Sequence, residues 1–309
     1  MKKILILVFS FACCINKLAA QQPVKKYFDS RDATYGFYSI IEPKSKMPVA
    51  VLVLLDGYGG NAENFLAETT IDEAAFENNI ITVCIPNGMR LYADSLIINR
   101  LNKTISEVLT AYKIPKTKLI MGGFSSGGTI LLRYAELCNQ NPGNYPAVPR
   151  MLFTGDSPID LAGLYRSSKR ELQKNFTGWW LDEARMIIDK LYKKAGDPEK
   201  NKAAWQTINP FNAADTTAGN EKYLAGIAYR TYHDVDVQWQ MENRSRSLYQ
   251  VNALDASELI SRLRLRGHKE ADFIQSKIPG QRSDGRRHPH SWNIIDADEL
   301  MKWVFSVMK

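Results

Sequence analysis

Histidine is scarce in this chain: among 309 residues there are four, at positions 233, 268, 288 and 290. Any chemistry that needs an imidazole base must draw on one of them. Cysteine is as rare, with Cys13, Cys14, Cys84 and Cys138. The last two sit inside apolar patterns, "IITVCIP" and "YAELCNQ", which argues for buried free thiols and against a disulfide framework or a cysteine metal site. Internal repeats and low-complexity segments are absent, which excludes solenoid and fibrous architectures. The apolar run from Ile4 to Ile15 is too short to cross a bilayer, so no stable membrane span is expected.

That run follows Lys2 and Lys3 and precedes Leu18-Ala19-Ala20, the pattern of a secretory signal over residues 1–20, with cleavage after Ala20 and a secreted or periplasmic product. A membrane anchor or lipidation at Cys13 or Cys14 is the alternative, disfavoured by the residues that precede either cysteine. Loss of the signal removes Lys2, Lys3 and Lys17 and lowers the formal charge from +7 to +4. So small an excess gives no reason to expect a nucleic-acid partner.

Residues 21–309 read as a single domain with 45% hydrophobic residues over the whole sequence, enough for an ordinary core. β-rich runs at 48–57, 80–87, 118–125, 150–158, 226–234 and 271–278 alternate with helical patterns at 61–79, 92–114, 127–141, 243–267 and 296–308. In the last, Leu300, Trp303, Val304 and Val307 form one stripe. Near-continuous apolar strands alternating with helices imply an α/β fold with a mostly parallel central sheet covered on both faces. More than sixty residues separate the fourth strand from the fifth and carry helical patterns of their own, "LAGLYRSSKREL" and "WWLDEARMIIDKLYKKAG". An insertion of that size, about 161–222, is expected to be a helical lid or cap over a binding site.

The stretch "MGGFSSGGT" offers two serines, and only Ser125 fits a G-x-S-x-G frame, with Gly123 and Gly127 on either side. A strand that turns at once into a helix holds the central residue in a strained backbone, and small flanking residues let the two elements pass closely. The turn also puts the amide of Ser126 at a helix start, where it can donate to an oxyanion. A serine nucleophile requires a histidine base and an acid. His288 and His290, in "RRHPHSWNIID" between the last strand and the last helix, are the candidates. His290 is preferred because Pro289 stiffens the backbone before it and Ser291-Trp292 leads into the helix. For the acid, "YHDVDVQWQ" offers Asp236 first and Asp234 second, with Asp156 in "TGDSPID" a third choice; the unused aspartate would cap the turn. A second oxyanion donor is expected from "DGYGGNAENF", at the amide of Tyr58 or Gly57.

With "LLDGYGG", "GGFSSGG" and "HPHSW" in this order, the chain from about residue 36 onward resembles the α/β-hydrolase superfamily, and within it the secreted bacterial serine esterases. The order Ser125, Asp236, His290 matches the order of the superfamily's triad. Asp56 departs from the histidine that many relatives carry before the oxyanion glycine. The resemblance implies an α/β-hydrolase fold and a carboxylic-ester hydrolase working through an acyl-enzyme, with no metal or organic cofactor. A serine peptidase of the prolyl-oligopeptidase type and an acyltransferase use the same triad; a non-catalytic binding protein on this fold would need none of it. The expected substrate is a small-molecule or polysaccharide-linked ester. Gly57, Trp239 and Trp292 are expected in the substrate-binding loops, with Tyr58, Trp179 and Trp180 as further aromatics, although core or lid packing is the commoner use of such residues. The basic stretch from Arg262 to Arg287 would favour anionic substrates if it faced the site; such runs more often form a solvated face.

Overall fold

A computed structural model describes residues 22–174, 178 and 180–309. The expected signal segment, with Cys13 and Cys14, and Trp179 lie outside the described residues. One sheet of eight strands runs through the protein: β1 Val24–Tyr27, β2 Phe37–Ile41, β3 Ala50–Leu55, β4 Ile80–Ile85, β5 Leu119–Phe124, β6 Met151–Gly155, β7 Ala228–His233 and β8 Ala271–Gln275. Their spatial order is β1-β2-β4-β3-β5-β6-β7-β8. β2 is antiparallel to both neighbours, and every pairing from β4 to β8 is parallel.

The helices are α1 Ile71–Glu77, α2 Ser95–Ala111, α3 Ser126–Gln140, α4 Leu161–Leu172, α5 Trp180–Ala195, α6 Lys202–Ile208, α7 Val237–Arg244, α8 Ala253–Leu265 and α9 Ala297–Met308. They explain why the central strands are apolar throughout. Along β3, Val51, Val53 and Leu55 pack with α2, α3 and α8, whereas Ala50, Leu52 and Leu54 pack with α1 and α9. Side chains alternate across a strand, so a sheet covered on both faces has no polar side.

The six expected strands are present, each shorter than its apolar run. β1 and β2 were not expected. β1, "VKKY", is exposed along its whole length at the sheet edge, so no alternation marks it. β2 is a buried run of only five residues, too short for its periodicity to speak. Two helical patterns are broken: 61–79 resolves into a short 3-10 turn and α1, and 243–267 into the end of α7, a second 3-10 turn and α8. α7 starts directly after β7, earlier than the sequence pattern indicates, because the Asp236 carboxylate caps it by accepting from the Trp239 amide at 2.9 Å.

The segment between β6 and β7 builds α4, α5 and α6. Leu161, Ala162, Tyr165, Ile187, Leu191, Ala195, Trp205 and Ile208 form a small apolar core of its own with Leu91. Cys84 and Cys138 are buried free thiols. Among the described residues, no helix is long and apolar enough to cross a membrane.

Candidate active site

The turn from β5 into α3 holds a constrained backbone at the sheet's carboxyl end. Ser125 has φ 53° and ψ −131°, a region that side-chain-bearing residues rarely occupy. Such a conformation costs about 1–3 kcal/mol and persists only where its surroundings impose it. Here the Ser125 amide donates to the Gly155 carbonyl at 2.9 Å, and the Ser125 carbonyl accepts from the Gly128 amide at 3.1 Å. The flanking glycines are steric requirements. A Cβ at 123 would stand 2.5 Å from the Gly128 nitrogen, and one at 127 would stand 2.2 Å from the Asp56 carbonyl oxygen.

Ser125 lines a cleft of about 390 Å³ together with Asp56, Gly57, Tyr58, Asp156 and His290. Leu164, Ser167 and Glu171 of α4 and Glu183, Met186 and Ile187 of α5 form another part of its wall, so the insertion borders the serine. The wider groove of about 700 Å³ between α1 and the 281–298 segment contains none of Ser125, Asp156 or His290.

His290 packs its ring on Phe124, centroids 4.5 Å apart, and its Nδ1 lies 2.6 Å from Oδ2 of Asp156. Asp156 follows β6 and sits at φ 39°. Its other oxygen, Oδ1, lies 3.1 Å from Nδ1 of the buried His233 at the end of β7. Burial alone would raise the Asp156 pKa; the hydrogen bonds from His233 and His290 outweigh it and hold the carboxyl well below the usual range.

Asp236, the preferred acid on sequence grounds, does not reach His290. It caps α7 with one oxygen, and the other binds Arg287 Nη2 at 2.8 Å. Asp234 accepts from the Gly280 amide at 2.8 Å and pairs with Arg287 Nη1 at 2.7 Å. Both aspartates thus brace the loop that carries His290, while Asp156, the third choice, holds the histidine. Its signal in the sequence is an aspartate directly after the apolar run "MLFTG", in the same position relative to its strand as Ser125 relative to β5.

His288 lies behind His290. Its Nδ1 is 3.2 Å from the His290 amide, its Nε2 is 2.8 Å from Arg244 Nη2, and its ring meets Trp239 edge-on at 5.0 Å. Burial and then the nearby positive charge of Arg282 push its pKa down to about 3, so it is neutral at ordinary pH.

On the opposite side, the loop after β3 brings Gly57 and Tyr58 to Ser125. The amides of Gly59 and Gly60 donate to the carbonyls of Gly88 and Gly57 at 2.7 and 2.9 Å. Asn87, fully buried and overlooked in the sequence, ties this loop to the elbow: its Nδ2 donates to the Gly57 carbonyl at 3.1 Å and to Ser126 Oγ at 2.9 Å.

The aromatic expectations change with burial. Trp292 is 1% exposed, stacks on Phe65 at 5.0 Å and donates Nε1–H to Asp56 at 2.7 Å. It joins the loop after β3 to the loop that carries His290, and it does not line the cleft. Trp239 is half-buried behind His288 and does not line the cleft. Tyr58 lies under Lys190 of α5, 5.5 Å from its ring. The basic stretch is largely engaged by partners: Arg262 with Glu258, Arg264 with Asp272, Arg266 with Glu221, Arg282 with Glu68 and Arg286 with Asp284. Only Arg282 of this stretch reaches the cleft. Among the described residues, no cluster of three or more histidine, cysteine, aspartate or glutamate side chains is arranged to hold a metal ion.

No protein-family model matches the chain, and no curated protein matches it in sequence. Solved structures do resemble it. A truncated carbohydrate esterase from gut microbiota matches 92% of this chain and 95% of its own at 15% identity, TM-score 0.59. A carboxylesterase, so described only provisionally, from Lactobacillus plantarum matches 93% and 98% at 12% identity, TM-score 0.57. A fluorophosphonate-binding serine hydrolase from Staphylococcus aureus matches 93% and 97% at 12% identity, TM-score 0.52. Together with the strand order and the strained serine between β5 and α3, these likenesses establish that the chain has the α/β-hydrolase fold.

Proposed function

We propose that this protein is a serine hydrolase of carboxylic esters, with Ser125 as nucleophile, His290 as base and Asp156 as the acid. The observation that carries the reading is the coincidence, in one cleft, of a strained strand-to-helix serine and a histidine bound at 2.6 Å to a largely buried carboxylate. Asp156 engages Nδ1 of His290, which leaves Nε2 to take the Ser125 proton as Oγ attacks the ester carbonyl. The imidazolium then gives that proton to the departing alcohol. Water, activated by the same nitrogen, attacks the acyl-serine; the proton passes from water to His290 and back to Ser125, and the acid leaves. Asp156, held ionised, stabilises the imidazolium in both halves.

The amides of Tyr58 and Ser126 receive the oxyanion. The amides of Gly59 and Gly60 are taken by the carbonyls of Gly88 and Gly57, and Asn87 joins the two donor segments through the Gly57 carbonyl and Ser126 Oγ. The α4–α5 insertion acts as a cap whose apolar residues Leu164, Met186 and Ile187 meet the substrate. Small or carbohydrate-linked esters suit a cleft of this size, and one structural relative is itself a carbohydrate esterase.

The test is hydrolysis of short-chain aryl esters and acetylated oligosaccharides by the purified protein and by Ser125→Ala. The variant should retain the wild-type melting curve and lose turnover; a Ser125→Ala protein that still hydrolyses these esters rules the reading out. Export belongs to the same proposal: N-terminal sequencing of protein recovered from outside the cytoplasm should begin at Gln21.

A further inference from the structure

Asp156 faces two histidines, and the mechanism above uses only one. We propose that His233 is a positioning residue for Asp156, the last member of a buried chain of donors that turns one carboxylate oxygen towards His290. The proposal rests on the reading of Asp156 as the acid partner of His290.

The chain runs between β6 and β7. Tyr229 Oη lies 2.9 Å from Thr154 Oγ1, which lies 3.0 Å from Thr231 Oγ1. Thr231 Oγ1 lies 2.7 Å from His233 Nε2, and His233 Nδ1 lies 3.1 Å from Asp156 Oδ1. Every member from Tyr229 to His233 is at most 1% exposed, so water does not compete for these groups.

Each hydroxyl carries one proton, and with a neutral His233 imidazole one direction satisfies every contact. Tyr229 donates to Thr154, Thr154 to Thr231, and Thr231 to His233 Nε2. The remaining imidazole proton is then on Nδ1, where it donates to the carboxylate. The opposite direction in a neutral imidazole would set the Nδ1 lone pair against a carboxylate oxygen. Hydrogen bonds aligned in this way polarise one another in a site of low dielectric. Phe273 fixes the ring plane, with centroids 5.1 Å apart and planes 3° from parallel.

An acid placed after β6, on a backbone at φ 39°, gains from a second fixed donor. With Oδ1 tethered, Oδ2 is the oxygen presented to His290. Without the tether, the carboxylate can rotate, and one buried oxygen loses its partner.

The experiment measures kcat and KM of the full protein on a short-chain aryl ester for wild type, His233→Phe, His233→Asn and Thr231→Val. Phenylalanine keeps the ring and its contact with Phe273 but donates nothing; asparagine sets an Nδ2–H where Nδ1–H stood. A lost charge-assisted hydrogen bond corresponds to roughly a 10- to 100-fold fall. His233→Phe should show that fall in kcat with KM within about twofold, and His233→Asn should recover most of it. A plain packing role predicts no such rescue, because asparagine fills the space less well than phenylalanine. Wild-type kcat in His233→Phe, or a folded His233→Asn as impaired as His233→Phe, overturns the proposal. Should His233→Phe fail to fold, Thr231→Val decides. It removes the donor to Nε2 at constant shape, so an unchanged kcat refutes the chain and a kcat lowered by about threefold or more, at constant KM, supports it. A wild-type protein that hydrolyses no ester would defeat the underlying reading instead, a result distinct from any of these.

Discussion

Replacing Asp156 by asparagine keeps the shape of the side chain and removes its charge, and the geometry fixes what must follow. The carboxylate accepts from His290 Nδ1 at 2.6 Å through one oxygen and from His233 Nδ1 at 3.1 Å through the other. An amide has one acceptor oxygen and one NH2, so it can serve only one histidine and presents a donor to the other. If the NH2 faces His290, the imidazole is driven to the tautomer with its proton on Nε2, where it cannot act as base towards Ser125. The same exchange in a serine triad lowers kcat by about 10⁴, and about 10³–10⁴ is expected here, equal to about 4–5.5 kcal/mol of barrier.

Asp236→Asn is the matched control. Asparagine caps a helix nearly as well as aspartate, and Arg287 keeps its partner Asp234, so kcat should stay within about twofold and stability within about 1 kcal/mol. The assay is kcat and KM on a short-chain aryl ester for both variants, with thermal melts to verify folding. An Asp156→Asn enzyme within tenfold of wild type, or an Asp236→Asn enzyme as impaired as Asp156→Asn, would refute the assignment.

Asn87→Ala removes the donors that join Gly57 to Ser126, and kcat should fall by about tenfold at unchanged KM, measured by steady-state kinetics. Trp292→Phe deletes the bond to the half-buried Asp56 carboxylate. It should lower unfolding free energy by about 2 kcal/mol in urea titration while KM for small esters stays put, as befits a strut and not a substrate platform. Asp255 is held up to about 7 by burial and by the neighbouring Asp160. The folded state therefore binds the proton more tightly than the unfolded chain. Its stabilising contribution is complete below about pH 4 and is lost as pH rises through about 7. Asp255→Asn should melt above wild type at pH 8 by differential scanning calorimetry, and the advantage should shrink as pH falls; the opposite trend would contradict the burial argument.

The strained serine turn is legible because its demands are local: Gly123 and Gly127 are needed where β5 and α3 cross, and that need is written within five residues. The parallel core strands were legible for a similar reason, since a strand covered on both faces is apolar throughout. The carboxylate that meets His290 is not, because Asp156 follows β6 while Asp234 and Asp236 follow β7, and which one reaches the histidine depends on how β6 and β7 lie side by side. The decisive local fact, that Asp236 opens α7, was hidden by the weak apolar pattern of "VQWQMENR". Trp292 reads as a platform in the sequence because its loop carries His290; its burial against Phe65 and its bond to Asp56 link residues more than two hundred positions apart. Asn87 carries no motif, and its role exists only once β4 lies beside β3.

The most direct test of the central claim is covalent. Wild-type protein and Ser125→Ala are treated with a fluorophosphonate, and the adduct is located by peptide mass spectrometry. The account predicts one modified site, Ser125, in wild type and none in the folded variant. An unmodified wild-type protein that is folded, or an adduct on another residue that survives in Ser125→Ala, would contradict it.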